Sequence, residues 1–361
     1  MPMPADLRAF ALAVPKAELH VHIEGTLEPE LMFALARRNE IALADRTVDD
    51  VRAAYRFTDL QSFLDIYYRA CAVLRTEADF YDLGRAYLER AAAQGVRHAE
   101  IFFDPQTHTA RGVPLRTVMA GLGRARRESS ELGLSADLIL CVLRHLPEAR
   151  ALETLTEALA FRDEFIGVGL DSSEVGFPPS GFARVFALAR AEGLRVVAHA
   201  GEEGPPDYIW QALELLEAER IDHGVRCLED DRLVRHLVAN QVPLTVCPFS
   251  NVRLRVVDAL ADHPLPALLD RGLLASVHSD DPAYFGGYVG DNYADSATAM
   301  GFDAETVARV ARHSFTGSFL DQPARRRHLE EVDAALARLT GPEGASKGSG
   351  NASEATGTLR P

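Results

Sequence analysis

The 361 residues are 47% hydrophobic and 25% charged, with a formal net charge of −15, which describes an ordinary globular chain with enough apolar material for one large domain. The acidic balance argues against nucleic-acid backbone or an anionic membrane as partner, because both would repel such a surface. A small, weakly charged substrate is the easier partner to accept.

No apolar run approaches the roughly 18 residues of a membrane span, and Met1 to Val14 lacks the basic start of a secretory signal, so a cytoplasmic location is expected. Cys71, Cys141, Cys227 and Cys247 are widely spaced with no C-x-x-C pair, which reads as four free thiols rather than a redox or cysteine-zinc site. The lysines are Lys16 and Lys347 alone.

In chain order, eight short apolar runs recur at 16–23, 98–105, 136–144, 165–171, 194–200, 219–224, 243–249 and 273–279. Segments of helical spacing separate them, such as Gly181 to Gly193, where the final glycine reads as a stop. This alternation predicts an α/β fold of the TIM type, a (β/α)8 barrel over residues 1–340. A doubly wound open sheet is the weaker option. The first crossover, 24–97, is long and is read as a helical insertion or lid. Its Phe57, Leu60 and Phe63 fit either an apolar wall over a flat substrate or helix packing. The Gly-, Ser- and Ala-rich stretch 341–361 is expected to be a disordered tail.

The first strand ends in His20-Val-His22-Ile-Glu24-Gly. Side chains at i and i+2 of a strand share a face, so two imidazoles project together as half of a zinc site. The fifth run ends in His199-Ala-Gly-Glu202, the sixth in Ile221-Asp-His223-Gly and the eighth in Ser279-Asp280-Asp281-Pro. In a barrel these positions line one mouth. Two adjacent aspartates are difficult to bury ionised without a compensating cation, which leaves one for the metal and the other for substrate. Glu202 is placed to carry a proton. His223 is either a fourth ligand or a base beside the metal, and the set as a whole points to zinc-assisted hydrolysis.

Rival chemistries find no support. The end of the fourth run has no lysine to bridge two metals, and an interior Schiff-base lysine is missing because Lys16 begins its strand. Gly344-Ala-Ser-Lys-Gly348 matches a nucleophile motif only within the low-complexity tail. His98-Ala-Glu100 is not followed by the cysteine pair that cysteine-ligated base deaminases require.

These motifs, in this order across about residues 14–320, resemble the adenosine and adenine deaminase family of metal-dependent hydrolases. The resemblance implies one zinc held by His20, His22, His199 and Asp280. It also implies that Glu202 protonates purine N1, that His223 orients or deprotonates the attacking water, and that Asp281 bonds N7. Within the family the adenine-specific branch is the nearer. Nucleoside deaminases place an aspartate that reaches the ribose where this chain has Glu24, and Leu170-Asp-Ser-Ser-Glu174 also resembles the adenine branch. The expected activity is hydrolysis of adenine to hypoxanthine and ammonia. Adenosine, N6-substituted adenines and aminodeoxyfutalosine are the alternative substrates, and a non-catalytic purine-binding barrel is the alternative of another class. Expected substrate contacts are Asp281, Glu24, Phe57 and Phe63. His278 departs from the family, which more usually carries asparagine there.

Overall fold

The computed structural model describes residues 5–341, with the side chains of residues 6–341. The expected tail lies beyond them apart from Gly341. Eight strands form one sheet in sequence order, every neighbouring pair parallel. They are β1 Lys16–His22, β2 Val96–Phe103, β3 Ser135–Leu143, β4 Gly167–Asp171, β5 Arg195–Ala200, β6 Arg220–His223, β7 Pro243–Val246 and β8 Leu274–Val277. Each falls on one of the eight expected apolar runs to within a few residues. The fold is the expected barrel.

The seam between β8 and β1 is closed by a single parallel bridge, Val21 with Asp280. His22 N donates to Asp280 O and Asp280 N donates to His20 O, both at 3.0 Å. A third stitch is made by a side chain, since Leu19 N donates to His278 Nδ1 at 3.0 Å. Barrel closure and the motif residues thus share the same few backbone atoms.

Inside the barrel Phe102, Ile139, Cys141 and Val197 form a small apolar cluster. Below it the buried Arg220 pairs with the buried Glu100, and a buried ion pair of this kind holds only while both partners remain. All four cysteines are free and buried, as the spacing suggested. No helix among the described residues is long and apolar enough to cross a membrane.

The chain starts with α1 Ala5–Ala13, and the segment after β1 carries α2 Pro29–Arg38, α3 Val48–Ala54, α4 Leu60–Ala70 and α5 Glu77–Ala93. The last of these is the crossover helix of the first unit and packs on the helix Leu115–Arg127. There a Cβ on Gly121 would come within 2.5 Å of Glu77 O, so only glycine allows the approach. Helix α4 begins at a capping box in which Asp59 accepts from Ser62 N at 2.8 Å. It buries Leu60, Phe63, Leu64 and Tyr67 from one face. Three contacts tie it across the strand ends. Tyr68 Oη and Ser172 Oγ are 2.8 Å apart, Ser173 Oγ donates to Gln61 Oε1 at 2.9 Å, and Leu60 N donates to Glu203 Oε1 at 3.4 Å.

Candidate active site

At the carboxyl ends of the strands, His20, His22, His199, Glu202, His223, Asp280 and Asp281 are all buried and gathered at one mouth. His22 Nε2 lies 3.0 Å from His199 Nε2. Asp280 Oδ1 lies 3.3 Å from His20 Nε2 and 3.5 Å from His22 Nε2. Atoms that each sit about 2.1 Å from a common tetrahedral or trigonal-bipyramidal centre are separated by about 3.0–3.5 Å, so this spacing is that of a ligand shell. Buried His20 Nε2 has no hydrogen-bond partner, an arrangement costly for a polar atom unless a cation takes its lone pair. Burial, reinforced by the surrounding imidazoles, pushes His199 well below the usual histidine range, which keeps it in the neutral form that binds metal. The residues present fit a divalent cation.

Each expected ligand histidine has an oxygen of another strand end facing its other nitrogen, and that of His20 is close enough for a hydrogen bond. His20 Nδ1 meets Thr245 Oγ1 at 2.9 Å, His22 Nδ1 faces Asp171 Oδ2 at 3.6 Å, and His199 Nδ1 faces Asp222 Oδ2 at 3.5 Å. Phe102 packs under all three rings at centroid distances of 5.2, 5.1 and 5.4 Å. Sequence reading missed Thr245, Asp171, Asp222 and Phe102. A polar or acidic residue at the end of a neighbouring strand was the available signal, but register decides which ring it meets.

His223 and Asp280 have φ of 66° and 61°. Left-handed backbone at a residue with a Cβ costs about 1–3 kcal/mol and is retained where it aims a functional side chain. His223 Nε2 lies 3.4 Å from Glu202 Oε2 and 3.9 Å from Asp280 Oδ2. It belongs with His20, His199 and Asp280 in a group whose donor atoms lie within 4.8 Å of one another. Glu202 also accepts from Ser250 Oγ at 3.4 Å. Burial, then the charges of Asp280, Glu174 and Glu203, push the Glu202 carboxyl well above its ordinary range. Asp281 Oδ1 is buried without a partner. A Cβ on Gly25 would lie 1.9 Å from that oxygen, so the glycine after Glu24 makes room for Asp281.

The cavity above these groups has a volume of about 30 Å³ and is roofed closely by Leu60, Phe63, Leu64, Tyr67 and Tyr68 of α4. Phe63 therefore stands where it was expected. Two other expected contacts do not line this space. Phe57 is one ring back, 5.3 Å from Phe63 and 6.2 Å from Phe285, because it precedes α4 and packs on its buried side. Glu24 turns away from the mouth. Its Oε1 accepts from Asp104 N at 3.1 Å and lies 2.7 Å from His108 Nε2 behind the wall, its Oε2 has no partner, and Asp104 faces the cavity. His278 sits below the site, not beside the metal position, bound to Leu19 N and Ser276 Oγ.

The model of the adenosine deaminase family matches residues 15–335. The chain belongs to the adenosine deaminase family. Among curated members it is 60% identical over 322 residues to an adenine deaminase of Trichlorobacter lovleyi, covering 89% of this chain and 92% of that one. The crystal structure of an adenine deaminase from Arthrobacter aurescens is 55% identical and superposes with a TM-score of 0.88, covering 89% and 99% of the two chains. An amidohydrolase from Burkholderia ambifaria, solved with bound zinc, is 26% identical with a TM-score of 0.86 over 94% and 96%. Family membership thus rests on nearly the whole barrel, and the two relatives named here at 55–60% identity are both adenine deaminases.

Proposed function

We infer that this protein is an adenine deaminase that hydrolyses adenine to hypoxanthine and ammonia, with zinc held by His20, His22, His199 and Asp280. The observation that carries the reading is the convergence of three imidazole nitrogens and one carboxylate beside a proton donor and a base, within a chain 60% identical to an adenine deaminase. A purine binder without chemistry has no need of that donor and base.

Held by these four residues, zinc would supply a Lewis acid that brings the pKa of an attacking water towards about 7. The protein's own groups do the rest. Glu202, which keeps its proton through burial and neighbouring negative charge, gives it to N1 and so makes C6 electrophilic. His223, 3.4 Å from Glu202, accepts the proton of the water that adds to C6. Asp281, whose carboxyl is pushed well above its ordinary range by burial and the charge of Asp280 and so keeps its proton, donates to N7 from the mouth and fixes the ring against the acid. The amino group takes the proton held by His223 and leaves C6 as ammonia as the tetrahedral carbon collapses, and the proton of the C6 hydroxyl returns to Glu202. These contacts favour the tetrahedral carbon over the flat ring, which is what accelerates the step. The aromatic roof of α4 covers the ring and keeps bulk water out.

Adenine is favoured over adenosine by the named relatives and by Glu24. Glu24 does not line the cavity and its Oε1 is held by Asp104 N and His108 behind the wall, so it is not placed to receive a ribose hydroxyl. The test is ammonia release by the zinc-loaded protein from adenine and from adenosine at equal concentration. Adenine should be the faster by at least about 100-fold, the scale on which an unpaired buried polar group discriminates. Faster release from adenosine would reverse the substrate assignment, and no release from either would leave only the binding protein.

A further inference from the structure

We propose that Glu174 is a positioning residue for the reaction, a buried clamp that sets the Glu202 carboxyl over the substrate. The inference rests on the reading of Glu202 as the proton donor. Glu174 follows β4 and is 2% exposed. Its two oxygens accept four successive backbone N–H groups of the turn that carries Glu202. Gly201 N donates to Oε1 at 2.6 Å, and Glu202 N, Glu203 N and Gly204 N donate to Oε2 at 3.1, 2.8 and 2.7 Å.

Four consecutive amides outside any ladder must find acceptors when buried. A carboxylate is the side chain that offers enough lone pairs and no donor. The fit is close. A Cβ on Gly204 would lie 2.4 Å from Glu174 Oε1.

The clamp is referenced to the metal position. Arg144, itself buried, donates from Nη1 to His199 O at 2.7 Å and from Nε to Phe177 O at 2.8 Å. Phe177 N in turn donates to Glu174 O at 3.1 Å. One buried guanidinium therefore holds the carbonyl of an expected zinc ligand and the loop that carries the clamp. Arg226 N donates to Gly201 O at 3.0 Å and its side chain bonds Glu203 O, fixing the same turn from β6. The distance between Glu202 and His199 is then set by Glu174 and Arg144, not left to a free three-residue turn.

The test is Glu174→Gln in the zinc-loaded enzyme. An amide nitrogen in place of one oxygen strands at least one N–H of the turn. The expected result is a kcat about 100-fold lower, the scale of an ångström of misplacement, with KM within about 3-fold and zinc content unchanged. Affinity for a purine tetrahedral at C6 should fall about 100-fold while affinity for flat hypoxanthine holds within about 3-fold. Glu174→Asp, which keeps the charge but shortens the reach, should recover part of kcat. A folded, zinc-loaded Glu174→Gln enzyme with kcat within about 3-fold of wild type would overturn the inference, as would equal weakening of both ligands. Should that variant not fold, Gly204→Ala decides by the same measurements, because its methyl displaces the clamp without removing charge. Failure of the wild-type protein to turn over adenine overturns the functional reading and this inference together. Normal wild-type turnover with an unaffected variant overturns this inference alone.

Discussion

The imidazole of His278 accepts the amide of Leu19 at 3.0 Å and so completes the seam where the barrel closes. That seam otherwise depends on one bridge, and the same strand ends carry His20, His22 and Asp280. The place of Nδ1 on an imidazole is close to that of Oδ1 on an asparagine side chain, so an asparagine here would offer the Leu19 amide the same acceptor.

His278→Asn should therefore change unfolding free energy by less than about 1 kcal/mol, whereas His278→Leu leaves the Leu19 amide buried and unpaired and should cost about 1–3 kcal/mol. Urea unfolding of the three proteins measures this. Equal losses for Asn and Leu would show that the ring fills space and does not serve as an acceptor.

Glu202→Gln removes the transferable proton while leaving the four expected ligands in place. Turnover should fall by about 100- to 10,000-fold with zinc content unchanged. Steady-state kinetics and atomic absorption on the same preparation check it, and full activity in the variant would refute the proton-donor role.

Removal of metal with a chelator should abolish turnover, and zinc should restore it. Because the ligands converge only in the folded state, zinc at 1,000 times its dissociation constant should add about 4 kcal/mol to stability. Calorimetry with and without zinc reads the shift in Tm. Undiminished activity in metal-free protein would remove the metal from the reaction.

His263 provides a pH prediction away from the metal. It is 3% exposed, lies 3.1 Å from Asn251 Oδ1 and accepts from Leu265 N at 3.0 Å. Burial holds it down to about 4, below the ordinary value of about 6.5. Between those values the unfolded chain binds a proton that the folded chain does not, so stability is complete above about pH 6.5 and falls as the pH drops towards 4. His263→Asn, which keeps an acceptor for Leu265 N, should lose about 2–3 kcal/mol less than wild type between pH 7 and 4.5. The other groups titrate alike in both proteins, so parallel pH curves would exclude the effect.

The eight strands were legible because a parallel sheet covered on both faces must be written as short, nearly continuous apolar runs. The four motifs were legible because each lies within a few residues and ends a strand. Glu24 and Phe57 were misread as lining residues for one shared reason. Each sits just beyond a regular element, where periodicity no longer says which way a side chain turns, and each found a nearer partner, His108 for Glu24 and the Phe63–Phe285 pair for Phe57.

By itself the sequence determined the barrel, the identity of the chemistry-bearing side chains and the family, since these follow from local pattern and motif order. Tertiary structure alone decided what faces what: Asp171 behind His22, Asp222 behind His199, and Glu174 beneath the Glu202 turn. Those pairings join residues 23 to 149 positions apart. They depend on strand register and loop closure, which no short stretch of chain encodes.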